Sequence, residues 1–211
     1  MEFFTSSGSA ASKRDDDLNF DGHEFTIPSR AIIEARDMTK WKTSQSYGEI
    51  FMFVKRCTES VVGKKKSEIS KLEDGTIACS FVTKFVDFMK LMNAKVDEYP
   101  CLQQPMRFGN KAFRQWYECL KTESETFLTN SLPKNLIDQG AVKELAPYIY
   151  TSFGNDIRID YGTGHETTII IFFLLSYKLQ LYYASDLSVV VSTEYIISVV
   201  ACLLTYLHIL K

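Results

Sequence analysis

Apolar residues recur at spacings of three and four along much of the chain between residues 44 and 153. These spacings place side chains on one face of an α-helix, so the pattern predicts four amphipathic helices, the first capped by Ser44. Runs of alternating residues, which are typical of half-buried strands, are short, and the predicted fold class is all-α. The predicted inward faces are Tyr47, Ile50, Phe51, Val54, Cys57 and Val61; Val82, Phe85, Val86, Met89 and Met92; Phe113, Trp116, Tyr117 and Leu120; and, after Pro133, Val142, Leu145, Ile149 and Phe153.

The two ends of the chain differ from this middle part. Residues 1–22 are rich in Ser and Asp and contain little to bury, so we expect a disordered tail followed by one domain over residues 23–211. Residues 167–210 are mostly apolar, and a membrane-spanning helix needs roughly 20 such residues. The first apolar run is too short, and the second reaches that length only by including Glu194. Two buried helices joined near Asp186 are therefore favoured over a C-terminal membrane anchor at residues 187–210.

Composition narrows the class of protein further. The chain has 211 residues, of which 45% are apolar, and this is enough for one substantial core. A net charge of −2 argues against a nucleic-acid binder, which needs a basic face. Five cysteines without a CxxC pair give little support for a structural zinc site. No secretory signal precedes them, so reduced thiols and a location in the cytoplasm or also the nucleus are expected.

A polar, glycine-rich stretch at residues 154–166 separates two apolar helices. Gly162 and Gly164 flank Thr163 and could let the backbone turn tightly and approach a ligand. Backbone N–H groups at the start of the next helix, together with Arg158, could bind a phosphate group. The stretch lacks the Lys-Ser/Thr ending of a P-loop, so a capped helix start, with Thr163 or His165 satisfying the free N–H groups, remains the alternative.

Two other kinds of site are excluded by their spacing. His165-Glu166 lacks the second histidine of a zinc protease, because Ile169 stands one turn later. No serine lies in a Gly-x-Ser-x-Gly elbow, so a serine hydrolase is also unsupported. We therefore assign neither a metal ligand nor a catalytic residue.

Three ordered blocks carry a resemblance to a known family. They are MTKWKTSQSY at residues 38–47, RFGNKAFRQWY at 107–117 (the second block) and RIDYGTGHE at 158–166 (the signature). In these blocks, and over about residues 23–200, the chain resembles the phosphotyrosyl phosphatase activators. The resemblance implies a mostly helical fold with a core, a linker and a lid.

The resemblance also implies an activity and a set of site residues. Family members bind ATP with magnesium, associate with the catalytic subunit of the type 2A serine/threonine phosphatase, and are credited with activating it and with peptidyl-prolyl cis-trans isomerase activity. By position, the expected nucleotide contacts are Arg158, Thr163 and Gly164. The residues expected to contact the phosphatase or to orient the loop are Asp160, Gly162, His165 and Glu166. Those expected to support the signature from a neighbouring helix are Arg107, Asn110 and Lys111.

The chain departs from the family at its C-terminal end. Family members continue beyond the point where this sequence stops, and the additional part includes a segment linked to magnesium. The resemblance therefore implies an incomplete domain with weakened nucleotide binding. A non-catalytic module that docks on the phosphatase without binding nucleotide is the alternative function.

Overall fold

Within the residues that the structure describes, the regular secondary structure is helical, which confirms the predicted all-α class. A computed structural model describes residues 23–65, 80–104 and 109–191. The predicted tail at residues 1–22 and Arg107 of the second block lie outside these residues. The helices are α1 (Ala35–Lys42), α2 (Gln45–Val61), α3 (Ser80–Lys95), α4 (Ala112–Ser131), α5 (Lys134–Asp138), α6 (Ala141–Thr151), α7 (Thr163–Lys178) and α8 (Leu187–Val190), with single 3-10 turns at Val96–Glu98 and Ala184–Asp186.

Helix α4 lies at the centre of the core, packed against α3 on one side and α6 on another, and α6 in turn packs against α7. All four residues predicted for its inward face are buried: Phe113, Trp116, Tyr117 and Leu120. The indole Nε1 of Trp116 donates a hydrogen bond to the Met92 carbonyl oxygen of α3 at 3.3 Å. In α3, Phe85 stacks on Phe172 of α7 with ring centroids 5.5 Å apart. The predicted faces of α3 and α4 therefore form one aromatic core.

The inward face predicted for α2 is only half right. Phe53, which was not on that face, is 3% exposed and packs against Tyr177 of α7 with ring centroids 6.1 Å apart. Ile50 and Cys57 are partly buried beside the core, whereas Phe51 is 64% exposed. Tyr47 and Val54 are also exposed. Helix α2 packs on α7 and α8 from one side, so the stripe that runs through Ile50, Phe53 and Cys57 is covered. The described residues do not cover the other apolar stripe.

The single helix predicted after Pro133 is two helices, because the chain breaks at Gly140. This glycine has φ +89°, and a Cβ added to it would lie 3.1 Å from Cε of Lys143. A residue with a side chain would therefore be strained there and would have to displace the lysine. Phe153 is buried as predicted. It lies beyond the helix, however, because α6 ends at Thr151. Gly154, with φ +120°, then turns the chain into the loop before α7.

The apolar C-terminal part is described only as far as residue 191. Helix α7 buries Phe172, Phe173 and Leu174, in agreement with the predicted buried helix. None of the helices within the described ranges is both long enough and apolar enough to cross a membrane. Most of the second predicted apolar helix, and with it most of the alternative membrane anchor at residues 187–210, lies outside the described residues.

Candidate functional site

The signature begins in the loop between α6 and α7, residues 152–162, which we call the α6–α7 loop. The backbone N–H of Asn155 donates to the Asp160 carbonyl oxygen at 3.1 Å, and that of Ile159 donates to the Asn155 carbonyl oxygen at 2.8 Å. The side-chain oxygen of Asn155 accepts from the N–H groups of Ile157 and Arg158 at 3.0 and 2.8 Å. These bonds close the loop into a compact turn, with Ile157 75% exposed at its tip.

Arg158, predicted as a nucleotide contact, is paired with Asp160, which was predicted either to contact the partner or to orient the loop. Arg158 donates from Nε to Asp160 Oδ2 at 2.7 Å and from Nη2 to Oδ1 at 3.2 Å. This carboxylate raises the pKa of the guanidinium further above its usual range. Both side chains are exposed, and exposed pairs are weak and screened by salt. A phosphate or a partner carboxylate can therefore compete with Asp160 for Arg158.

The start of α7 is open, but not for the reason that the sequence suggested. Gly162 has φ −163°, which any residue adopts, and Gly164 lies in the regular first turn of the helix, so neither glycine is required by a tight turn. A Cβ added at either position would meet no atom of the described residues within 4 Å. No side chain from the described part of the chain caps this helix end. Thr163 and Gly164 are exposed there, so the first N–H groups of α7 can be approached from outside.

His165 faces inward and ties the start of α7 to the end of α6. Its Nδ1 donates to the Thr151 carbonyl oxygen at 2.5 Å, and its ring stacks on Tyr161 with centroids 5.7 Å apart. Burial of Tyr161, with a smaller contribution from Glu166, raises the pKa of the phenol to about 12. Of the two roles expected for His165, this geometry is that of a residue that orients the loop. Glu166 is exposed in the first turn, where its charge favours the helix but opposes an incoming anion.

The residues of the second block that were expected to support the signature contact a different segment. Asn110 is buried, and its side-chain oxygen accepts from the N–H groups of Leu102 and Ala112 at 3.1 and 3.0 Å. Its amide nitrogen donates to the Leu102 carbonyl oxygen at 3.0 Å. The backbone N–H of Lys111 donates to the side-chain oxygen of Gln104 at 3.0 Å. Asn110 and Lys111 therefore fix residues 102–104 to the start of α4 rather than hold the α6–α7 loop.

Two other residues of α4 reach the α6–α7 loop instead. Arg114 donates from Nε to the Asp156 carbonyl oxygen at 2.9 Å and from Nη2 to the Ile157 carbonyl oxygen at 3.0 Å. Lys121, two helical turns later on the same face, lies with its Nζ 3.3 Å from Asp156 Oδ2. The α6–α7 loop is therefore supported by Arg114, which lies later in the second block than predicted, and by Lys121, which lies beyond that block.

Lys121 is half-buried in an aromatic setting. Its Nζ lies 5.0 Å from the centre of the Tyr117 ring and 6.0 Å from that of Tyr150, so the ammonium faces one ring from α4 and one from α6. Burial alone would lower the pKa of Lys121, but hydrogen bonds to Glu118 and Asp156 raise it above its ordinary value. Lys121 therefore stays charged and holds the Asp156 carboxylate against α4.

The sequence contains one pattern that both residues share. Arg114 and Lys121 are cations seven residues apart on α4, directly next to the buried stripe that runs through Phe113, Trp116 and Leu120. The long stems of such cations can cover the edge of a buried face and carry the charged group to water or to acceptors on a neighbouring element. The pattern could not predict which element supplies the acceptors, because Arg114 lies 42 residues before Asp156.

The described residues contain no group of three His, Cys, Asp or Glu side chains close enough to hold a metal ion. No magnesium ligand is assigned among these residues; magnesium that binds together with a nucleotide is usually held by the phosphates and only one or two carboxylates. The open start of α7, in contrast, has the features that bind phosphate oxygens, namely exposed backbone N–H groups with a guanidinium in the preceding loop. The arrangement can bind an anion or a partner surface.

Comparison with known proteins points to one family. A family model described as phosphotyrosyl phosphate activator (PTPA) protein matches residues 28–210. The serine/threonine-protein phosphatase 2A activator 1 of Emericella nidulans is 31% identical over 178 residues, which cover 75% of this chain and 40% of that protein. The activator 1 of Schizosaccharomyces pombe is 33% identical over 149 residues, which cover 71% of this chain and 43% of that protein. The chain thus spans about two fifths of the length of these relatives.

A solved structure has the same fold. The crystal structure of the PP2A phosphatase activator Ypa1 superposes with a TM-score of 0.70 and covers 92% of this chain at 21% sequence identity. The match covers 61% of the chain in that crystal structure. At this identity the likeness supports the helical fold alone.

Proposed function

Because the chain belongs to the phosphotyrosyl phosphatase activator family, we propose that it binds the catalytic subunit of the type 2A serine/threonine phosphatase and activates it. We further propose that it binds ATP with magnesium and has peptidyl-prolyl cis-trans isomerase activity, in the cytoplasm or also the nucleus. The observation that carries the proposal is the open start of α7, where the exposed Thr163 and Gly164 follow a loop that contains Arg158.

The nucleotide would bind through its phosphates. The first N–H groups of α7 can donate to phosphate oxygens, and the positive end of the helix dipole favours negative charge there. Arg158 would exchange its bonds with Asp160 for bonds to a phosphate, since a guanidinium matches either group with two parallel hydrogen bonds. Glu166 opposes this binding, so the cation that accompanies the nucleotide should strengthen it. The chain's own part is to bind and orient the phosphates.

The isomerase activity needs no general acid or base. Rotation about a peptide bond has a barrier of about 18–20 kcal/mol, and uncatalysed isomerisation before proline takes tens of seconds or more. A protein lowers that barrier when it holds the amide in a twisted form and removes water from it. Accordingly, no residue of this chain is proposed as catalytic, and its contribution would be a binding surface for the proline-containing segment.

The second candidate function is a docking module that binds the phosphatase but neither nucleotide nor proline substrate. Two observations favour it. Arg158 is already paired with Asp160, and the carboxylate of Glu166 lies in the first turn of α7, so both disfavour an anion. In this alternative the loop and the Arg158–Asp160 pair present a charged surface to the phosphatase.

Phosphatase stimulation and prolyl isomerisation, each measured with and without ATP and magnesium, separate these functions. We expect ATP-dependent stimulation, and the Arg158→Ala variant should need at least about tenfold more ATP, because it loses the charged hydrogen bonds between the guanidinium and the phosphate. Arg30→Ala is the control, because it removes an exposed arginine that also bonds within its own segment, from Nε to the Ile32 carbonyl oxygen at 2.9 Å, and that lies outside the α6–α7 loop. Phosphatase binding that ignores both ATP and Arg158→Ala would support the docking module. If the chain shows no phosphatase binding, no stimulation and no isomerisation, the proposed function is overturned.

A further inference from the structure

The α6–α7 loop contains a residue in an unfavourable backbone conformation. Ile159 has φ +52°, in the left-handed region, and its side chain is buried. A β-branched residue is seldom found there, because its side chain crowds the backbone, and such a conformation persists only where the surroundings impose it. The loop is therefore held in a shape that its own sequence does not favour.

Bonds within the loop account for part of this constraint. Asn155 pairs with Asp160 through one backbone hydrogen bond and accepts another from the N–H of Ile159. Its side chain also accepts from the N–H groups of Ile157 and Arg158. These bonds fix the shape of the turn, but they do not fix its orientation with respect to the rest of the molecule.

Helix α4 supplies that orientation through Arg114. Its guanidinium donates to two consecutive carbonyl oxygens, those of Asp156 and Ile157, which immediately precede Arg158. Two bonds from one planar group define a direction as well as a distance, which a lysine cannot do. Arg114 follows the fully buried Phe113, so its backbone is anchored in the core. Lys121 adds a third contact, to the side chain of Asp156.

We propose that Arg114 is a positioning residue for phosphatase and nucleotide binding, which acts by fixing the α6–α7 loop so that Arg158 and Asp160 face the binding partner beside the start of α7. This inference rests on the proposed function, because it gives a purpose to the orientation of the loop. It also explains the contacts of Arg114 itself, whose Nε and Nη2 both bond to backbone of the loop.

The first test measures the loop directly by amide hydrogen exchange in the full chain. Arg114→Ala should speed exchange at the N–H groups of Ile157, Arg158 and Ile159 about tenfold, while amides inside α4 keep their protection. Arg114→Lys should restore little of this protection, because one ammonium cannot replace the two directed bonds. Arg30→Ala, which removes an arginine–carbonyl bond outside the loop, should leave the loop amides unchanged. Unchanged exchange in Arg114→Ala would overturn the inference.

The second test asks whether the orientation matters for binding. We expect Arg114→Ala to weaken binding to the type 2A catalytic subunit about tenfold, with unfolding still cooperative. If Arg114 acts through Arg158, the double variant with Arg158→Ala should bind as weakly as Arg158→Ala alone, whereas independent residues would give additive losses. Additive losses, or full binding by Arg114→Ala, would overturn the inference. Absence of binding by the parent chain would instead overturn the proposed function, and the exchange measurement would still decide whether Arg114 positions the loop.

Discussion

Helices α4 and α2 have similar amphipathic sequences but very different surroundings. Helix α4 has 20 residues and buries eight of them, whereas α2 has 17 residues and fully buries only Phe53. The first lies between α3 and α6, and the second is covered on one side by α7 and α8. The comparison teaches that the spacing of apolar residues determines which side chains can be buried together, while the neighbouring elements decide which of them are.

The uncovered face of α2 belongs to a larger apolar region near the start of the described chain. Exposed apolar side chains are concentrated between residues 27 and 62, and those on α2 itself are Tyr47, Phe51, Met52 and Val54. The large apolar side chains of α4, in contrast, are buried against other helices. The two helices should therefore respond very differently when equivalent side chains are shortened.

The largest effect is expected in α4. Phe113→Ala removes a fully buried ring whose centroid lies 5.3 Å from that of Tyr117 and 5.9 Å from that of Trp116. The cavity and the lost transfer energy should lower the free energy of unfolding by about 3–5 kcal/mol. Denaturant titration measures this change, and a loss below about 1 kcal/mol would contradict the central position of α4.

An intermediate effect is expected at the beginning of α4. Asn110→Ala removes three hydrogen bonds between a buried amide and the backbone of Leu102 and Ala112. Backbone groups left without partners away from water should lower the free energy of unfolding by about 2 kcal/mol. Arg114 and Lys121 are untouched, so exchange of the α6–α7 loop amides should not change. Faster exchange in that loop would mean that Asn110 supports the signature after all.

The smallest effect is expected on the outer face of α2. Phe51→Ala should change the free energy of unfolding by less than about 0.5 kcal/mol, because the ring is 64% exposed. Phe53→Ala is the matched control in the same helix, and its 3% exposed ring should contribute about 3 kcal/mol. Equal losses for the two variants would show that the outer face of α2 is covered in solution.

The sequence predicted the core more completely than the site. The inward faces of α3 and α4 were correct because each helix is surrounded on its apolar side and a local period of 3.6 residues is sufficient to define that side. On α2 two apolar stripes compete, one through Phe51 and one through Phe53. Their spacing is the same, so only the position of α7 could decide between them.

At the site, the sequence located the loop but not what holds it. Residues 154–162 of the polar, glycine-rich stretch form a loop as expected, with Arg158 in it, whereas residues 163–166 form the first turn of α7. The bonds from Arg114 depend on the packing of α4 against α6, across 42 residues of sequence, and no local pattern encodes that distance. The tight turn predicted for the glycines was also wrong. Gly162 leaves the helix start open, but its backbone conformation is one that any residue can adopt.

The most direct test of the account is a calorimetric titration of the type 2A catalytic subunit into the 211-residue chain with ATP and magnesium, repeated with the Asp160→Ala variant. The account predicts a saturable one-to-one complex with the parent chain. Affinity should fall about tenfold in the variant, because the loop that α4 holds in place would then have lost a charged contact. A complex of unchanged affinity in Asp160→Ala would place phosphatase docking away from the α6–α7 loop. No complex with the parent chain would contradict the proposed function itself.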